Sequence, residues 1–407
     1  MARASSPASK FLLVVSGTVI GIAGTDLVLP AIPGLPRVLG GTLAEAQLVL
    51  AAFTAGAAIG LLGFGELGAR FDRRKLLVGS LLAYGLISTL CGFASSLPML
   101  IALRVVQGAA GAAAAVYAPG IVRSLYGDER AVAKLGLLGS VESMAPALAP
   151  IAGVWLLAWF GWRASFDLIA VAALLLAALV ARWMGPLPPA ASRRGEHGYH
   201  RLLVNYRFQR QALGHAFTLG GLLVFVFGAP TVFTHGLGGT LTNFIAMQLC
   251  GIASFIFASS LTGRLTADHG AERVILWGTL LSAAGGLGML GYALAGGGDT
   301  RVVTAIFLAL NAGLGFRGAP GFHAAVVEAR GDDARGAALV VVAILGTTSL
   351  GTAAVAPFIE GGLVPLAIAT AAITTAAALL CLMRPAQIAG AAPRFGAEDA
   401  AETERNA

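Results

Sequence analysis

Long apolar runs alternate with short polar connections along nearly the whole chain. A helix that crosses a membrane needs about 20 apolar residues, at about 1.5 Å of rise each, to traverse a hydrocarbon layer about 30 Å thick. Twelve runs reach that length: Phe11 to Ile32, Ala44 to Gly65, Leu76 to Ala94, Pro98 to Val122, Leu135 to Trp155, Phe166 to Met184, Gln211 to Phe233, Leu241 to Leu261, Val274 to Leu294, Val302 to Val327, Gly336 to Phe358 and Leu363 to Met383. They predict spans 1 to 12 of an all-α membrane protein. The series is interrupted at Gly185 to Arg210, where Pro186, Pro188, Pro189, Arg193, Arg194, Arg201, Arg207 and Arg210 make a basic segment too polar to cross lipid. It predicts a linker on the membrane surface, residues 185–210, between an N-terminal six-helix half (1–184) and a C-terminal six-helix half (211–383). The tail, 384–407, sets Glu398, Asp399, Glu402 and Glu404 among Ala and Gly, which predicts disorder.

The connections repeat along with the runs. Gly65 to Lys75, read GELGARFDRRK, is a hydrophilic hairpin wedged between spans 2 and 3, and Gly263, Leu265 and Ala267 stand where Gly65, Leu67 and Ala69 stand, one constant interval further on. The chain therefore reads as duplicated, two pseudo-symmetric halves of six helices each. Arg70, Arg73, Arg74 and Lys75 concentrate four positive charges in the first hairpin, and Lys or Arg in short loops mark the cytoplasmic face. Arg37, Arg163 and Arg301 fall in outside connections and Arg104 and Arg317 within spans, while every other Lys and Arg lies on the predicted inside. That asymmetry predicts a multi-pass protein of the cell (inner) membrane with both termini in the cytoplasm. The basic start, Arg3 and Lys10, also fits a signal peptide, but the first run is too long for one and the duplication needs it as a span.

Composition agrees with lipid as the main solvent. The chain is 57% apolar before its 55 Gly are counted and 12% charged, whereas soluble domains reach about 45–50% apolar with Gly included. The net charge of +7 sits mainly in short connections on one side and predicts contact with anionic headgroups rather than nucleic acid. Cys91, Cys250 and Cys381 all fall in apolar runs, odd in number, and read as small core residues rather than a disulfide framework or metal cluster. Trp155, Trp159 and Trp162 at the outer end of span 5 predict an interfacial belt.

A few side chains are out of place in lipid. Arg104 lies about two turns inside span 4, where a charge costs about 2.5–3.5 kcal/mol on insertion scales. It must be paired or face water, and Asp26, in the outer half of span 1, is the acid at comparable depth in the first half. Either these two line a central cavity and exchange a proton, or Arg104 ties backbone carbonyls of neighbouring spans together. Glu142, two turns into span 5, is a second carboxylate that lipid cannot solvate; it is a proton carrier or a group paired near the inner mouth. Arg317 and His323 share span 10 but, six residues apart, not one helical face. Arg317 either meets an anionic substrate group or Glu142 across the halves, or snorkels to the inner mouth. Gly108, Gly111 and Ala115 in span 4, and Gly136, Gly139 and Ser143 in span 5, permit close helix approach. Pro119 and Pro320, each in an Ala-Pro-Gly triplet, can bend spans 4 and 10.

Several of these residues fall into larger motifs. Gly65, Leu67, Arg70, Arg73 and Arg74 are spaced as in Gly-x-Leu-Ala-Asp-Arg-x-Gly-Arg-Arg; Arg104, Gln107, Gly108 and Gly111 follow Arg-x-x-Gln-Gly in span 4; Gly139, Pro146, Pro150 and Gly153 make a Gly- and Pro-rich span 5. Thr25, Asp26, Leu29, Pro30 and Pro33 end span 1, and Trp162-Arg163 is followed by Phe166. Together, each in its span, these motifs resemble the major facilitator superfamily, more closely its twelve-span drug:proton antiporters and most closely the bicyclomycin-resistance type. The resemblance implies the major facilitator fold, a substrate site near the bilayer midplane, an antiporter-like span 5 and a gating hairpin at Gly65, Arg70, Asp72, Arg73 and Arg74. Two hairpin positions depart from the family: Ala69 stands where it has its acid and Asp72 where it has its second Gly. Either Asp72 takes over from the absent acid or the gate is held differently.

The leading expectation is a transporter, not an enzyme, that exports a small organic compound in exchange for protons. Its partners are then the substrate, protons and the lipid bilayer, with a proton gradient in place of any cofactor or metal, and the chain acts as a monomer. A proton-linked importer on the same fold is the alternative, and the Gly139 to Gly153 stretch argues against it. A polytopic membrane enzyme would need a convergent cluster, and His197, His200, His215, His235, His269 and His323 form no His-Glu-x-x-His spacing.

Overall fold

The computed structural model describes residues 6–185, 199–330 and 332–383; Arg3, most of the expected linker (186–198) and the tail (384–407) lie outside them. Twelve apolar helical spans run through the described residues: Pro7–Leu39, Leu43–Arg70, Arg73–Gly92, Leu97–Gly127, Glu129–Phe160 and Arg163–Trp183, then Tyr206–Gly236, Leu241–His269, Ala271–Leu294, Thr300–Val327, Arg335–Gly361 and Leu363–Leu382. Helices satisfy their own backbone groups, which is what hydrocarbon demands. The protein is thus an all-helical, multi-pass membrane protein.

Side-chain caps explain where several spans begin. Thr42 and Glu45 form a reciprocal capping box at the start of span 2, and Thr240 with Asn243 forms the same box at span 8. The interval between these two boxes equals that between the two hairpins, so the duplication extends to how the helices start. Ser96, Asn205 and Asp299 cap spans 4, 7 and 10.

Proline shapes the far ends, opposite the Lys- and Arg-rich hairpins. The α-helix of span 1 stops at Asp26 and the chain continues as a 3₁₀ turn, Leu29–Gly34, containing Pro30 and Pro33, residues that cannot donate to a helical ladder. Span 7 loosens after Pro230 into a π turn, Val232–Gly236, and span 11 tightens at Pro357 into Ala356–Gly361. The polar connection expected between spans 4 and 5 is mostly helical; it breaks at Gly127, whose φ of 70° suits glycine.

The packing is duplicated too. Span 2 lies along span 4 and span 8 along span 10, while span 3 pairs with span 6 and span 9 with span 12. In the first half the backbones touch: a Cβ on Gly108 would come within 2.0 Å of the Phe53 carbonyl oxygen, the close approach that small residues permit. Gly315 of span 10 meets Phe255 of span 8 in the same way.

The two halves are joined at one end. A single buried apolar cluster at the far end takes Leu29, Ile32, Leu50 and Phe166 from the first half and Phe225, Phe233, Phe307 and Leu366 from the second. Span 2 also packs along span 11, where the Ser349 hydroxyl donates to the Ala51 carbonyl at 2.9 Å. At the basic end each half has its own apolar cluster, one around Leu81, Tyr117 and Leu176, the other around Phe208, Ala325 and Val340. The two halves share one apolar cluster at the far end and keep separate ones at the basic end.

That shape changes three sequence expectations. Trp155 and Trp159 are 70% and 80% exposed, as a lipid-facing belt requires, but Trp162 is 7% exposed and packs edge-on against Phe166, 6.0 Å between centroids. It is part of the seal because the turn at Gly161 swings it inward. Cys91 is buried, whereas Cys250 is exposed and Cys381 half-buried, so they do not share one core role. Gly153 packs against the Leu27 carbonyl, yet Gly136 and Gly139 are exposed and a Cβ on either would meet nothing within 4 Å, so they do not serve close helix approach.

Candidate functional site

The most deeply buried charge organises the first half. Arg104 is 0% exposed. Its Nη1 donates to the Gly24 carbonyl of span 1 at 3.0 Å and to Gln107 Oε1 at 2.8 Å, and its Nε donates to the Val49 carbonyl of span 2 at 3.3 Å. The guanidinium lies over the Phe53 ring, 4.1 Å from its centroid, and Nη2 is left without a partner. Gln107 passes the network on, donating from Nε2 to Ser88 Oγ at 2.7 Å, and Ser88 donates to the Tyr84 carbonyl at 2.6 Å. Tyr84 in turn donates to the Ile20 carbonyl at 3.2 Å. Spans 1, 2, 3 and 4 are thereby tied through one cation and one amide. Of the two sequence readings of Arg104, the carbonyl tie is what this conformation displays, with one free nitrogen left to do more.

Asp26 is 8% exposed and ends the α-helix of span 1 just before the seal. No hydrogen bond or ion pair of its carboxyl occurs among the described residues, so Arg104 and Asp26 are near in sequence depth but not joined. A carboxylate removed from water is strongly disfavoured unless paired. Asp26 is therefore a group that must gain a partner or hold a proton.

Glu142 is half-buried on span 5 near Thr18 of span 1, whose hydroxyl donates to the Val15 carbonyl at 3.0 Å. Arg317 is 1% exposed and neither reaches Glu142 nor extends into the mouth. Its Nη1 donates to the Thr279 hydroxyl of span 9 and lies 3.9 Å from Cys381 Sγ, while Gly214 of span 7 leaves room for Nη2. The structure thus places Asp26, Arg104 and Gln107 towards the far end of the first half, Glu142 nearer the basic end, and Arg317 inside the second half. Pro119, Pro146, Pro150 and Pro320 all lie within helices. Gly111 packs on the Tyr84 ring.

The hairpin residues have separate duties. Asp72 caps span 3, accepting from the Arg74 N–H at 2.8 Å. Arg74 Nη2 donates to the Ala181 carbonyl at the end of span 6, and Arg73 lies against Gly120 of span 4. Arg70 is exposed at the last turn of span 2. Gly65 faces the phenol of Tyr199 on the short helix Tyr199–Val204, and burial together with the nearby Glu66 pushes that phenol up from its ordinary value. These contacts make a test available. Asn caps a helix as well as Asp, whereas Ala costs about 1 kcal/mol. Asp72→Asn is therefore expected to keep the cap and melt closer to the parent than Asp72→Ala, which loses it. If Asp72 also replaces the missing acid of the hairpin, Asp72→Asn alone will raise thiol accessibility from the inside; unchanged accessibility and transport leave it a cap.

Sequence reading missed Tyr84, Ser88 and Phe53, which have no charge to mark them in an apolar run. It also passed over His215 except as a metal candidate, although it is buried beside Arg317 with Nδ1 unpartnered.

Comparison with known proteins matches this architecture. A chloramphenicol resistance protein of Pseudomonas aeruginosa is 29% identical over 277 residues, covering 67% of this chain and 66% of that protein. A bicyclomycin resistance protein homolog of Haemophilus influenzae is 28% identical over 261 residues, 62% and 65% of the two chains. The match thus spans just under two thirds of these relatives' own lengths. A crystal structure of a bacterial homolog of the human lysosomal transporter Spinster, in an inward-facing and occupied conformation, superposes with a TM-score of 0.66 at 14% identity, covering 93% of this chain and 97% of that one; at that identity it shows the fold alone. The family pattern runs from residue 14 to residue 356, through both sets of spans and the seal between them, and the chain belongs to the Major Facilitator Superfamily.

Proposed function

We propose that this protein exports a small organic compound across the cell (inner) membrane in exchange for protons, by alternating access, with both termini and the basic hairpins in the cytoplasm. The observation that carries the reading is the asymmetric closure: one shared apolar seal at the far end, two separate clusters at the basic end, and an unpartnered carboxyl, Asp26, at the edge of the seal. Such a bundle presents its interior to the side that carries the Lys and Arg, which the charge asymmetry assigns to the cytoplasm. The relatives named for chloramphenicol and bicyclomycin resistance support an antibiotic-like substrate and outward transport.

Inverted membrane vesicles test direction, coupling and orientation together. Adding chloramphenicol, bicyclomycin or another candidate compound to vesicles with an acidic lumen is expected to release protons only where the protein is present. An impermeant thiol reagent is expected to reach an introduced cysteine at position 195 in these vesicles and not in intact cells. Substrate uptake with no proton release overturns the coupling, and labelling in intact cells overturns the orientation.

A further inference from the structure

Outside the transport path, the basic end carries a cleft of about 370 Å³ lined by Arg201, Val204, Asn205, Tyr206, Arg207 and Arg330. It forms where the short helix Tyr199–Val204 meets the start of span 7 and the turn that follows span 10. Asn205 fixes that junction: its Oδ1 accepts from the Arg207 and Phe208 N–H groups, and its Nδ2 donates to the Glu328 carbonyl at 3.1 Å. Arg201, Arg207 and Arg330 line the cleft; Arg207 Nε donates to the Tyr206 hydroxyl at 3.2 Å, and among the described residues Glu328 is the acid that acts on it. Asp332 does not balance the others, since it pairs with Arg335 at 2.8 Å. Among the described residues positive charge is in excess at this cleft, and such a surface attracts an anion.

Two further observations narrow the anion. Leu202 is buried under the short helix while Leu203 and Val204 beside Arg201 are exposed, so apolar side chains project next to the cations. An amphipathic helix of this kind lies at the boundary between headgroups and acyl chains. The occupant therefore offers an anionic head to the arginines and an apolar tail to Leu203 and Val204. In addition, Arg330 has φ of 51°, the non-glycine residue with positive φ among the described residues. Glycine suits that position, closing span 10, far better than arginine, so the guanidinium is held there at a backbone cost.

We propose that this cleft binds the phosphate of an anionic glycerophospholipid, with Arg201, Arg207 and Arg330 as its ligands. Guanidinium forks match phosphate oxygens two at a time, and the site would clamp the linker helix, span 7 and the end of span 10 to the inner leaflet.

The purified full chain in neutral detergent, titrated with phosphatidylglycerol, phosphatidylcholine or inorganic phosphate, tests this through its melting temperature. Phosphatidylglycerol is expected to raise it saturably, as any ligand of the folded state does, and the other two are not. Arg330→Gly removes one cation at a position where glycine relieves the backbone, so it should melt in phosphatidylcholine no lower than the parent while needing roughly fivefold more phosphatidylglycerol. The triple variant Arg201→Gln, Arg207→Gln, Arg330→Gln should need on the order of a hundredfold more. Arg264→Gln, an exposed charge at the same end of the bundle, should respond as the parent does. An equal response from all variants overturns the site. A shift produced by inorganic phosphate alone overturns the lipid as its source, and one produced equally by phosphatidylcholine overturns charge recognition.

Discussion

Replacing Arg104 by alanine is expected to abolish transport while leaving the protein in the membrane at close to parent abundance. The substitution removes one donor from each of three acceptors: the Gly24 and Val49 carbonyls and Gln107 Oε1, to which Cys91 Sγ still donates at 3.7 Å. Hydrogen bonds inside membrane proteins are worth about 0.6 kcal/mol on average, so three lost bonds weaken the bundle by about 2 kcal/mol, too little to prevent insertion. What is lost is geometry. Spans 1, 2 and 4 are positioned against one another by one planar cation, and Gln107 extends the tie to span 3. Arg104→Lys separates charge from shape, because an ammonium keeps the charge but not the fixed fork that serves three acceptors at once. It is expected to recover only a minor fraction of transport. Full activity in Arg104→Lys would mean that charge alone suffices, and near-parent transport in Arg104→Ala would reduce Arg104 to packing. Transport of a fluorescent or radiolabelled compound, normalised to membrane abundance, is the measurement.

The spans were legible in the sequence because lipid imposes one rule, a run of about 20 apolar residues in a self-satisfied helix. Their ends were less so. Span 1 reads as one apolar run from Phe11 through Pro30 to Ile32, and nothing in hydropathy shows that the α-helix stops at Asp26 and a 3₁₀ turn takes over. The connection around Gly127 failed differently: its charges signal a loop, but one glycine with positive φ is enough to turn a helix that otherwise continues. At the site, Arg104 stood out because a charge in an apolar run has to be explained. Its partners did not, since Gly24 and Val49 contribute backbone carbonyls that every residue possesses. Trp162 reads like Trp155 and Trp159, and only the turn at Gly161 decides that it faces the seal. Charge and length are written in composition, whereas which neutral groups meet depends on how helices far apart in sequence are rotated.

Asp26→Asn is expected to lose the response of transport to a pH gradient while retaining substrate binding. Asp26 lies at the edge of the apolar seal with no hydrogen bond or ion pair among the described residues. An ionised carboxylate there needs either water or a cation, and a protonated one needs neither, so its charge is tied to whether the site is wet. In the present shape the halves share no apolar cluster at the basic end, and water entering from that side can support the charged form. Closing that end removes the water. A substrate donor bound to the carboxylate would then support the charged form in place of water, and protonation removes that acceptor. Substrate and proton thus compete through one local arrangement, and linkage makes the effect reciprocal: each weakens the other by the same factor, typically about 5- to 150-fold for coupled sites. Asparagine keeps the shape of the side chain and removes the ionisation. In vesicles the variant should exchange labelled substrate for unlabelled substrate at near the parent rate, but an imposed pH gradient should no longer drive net movement. A full gradient response in Asp26→Asn would move the coupling proton to another carboxyl, and Glu142, half-buried near Thr18 towards the basic end, is the next group to neutralise in the same assay.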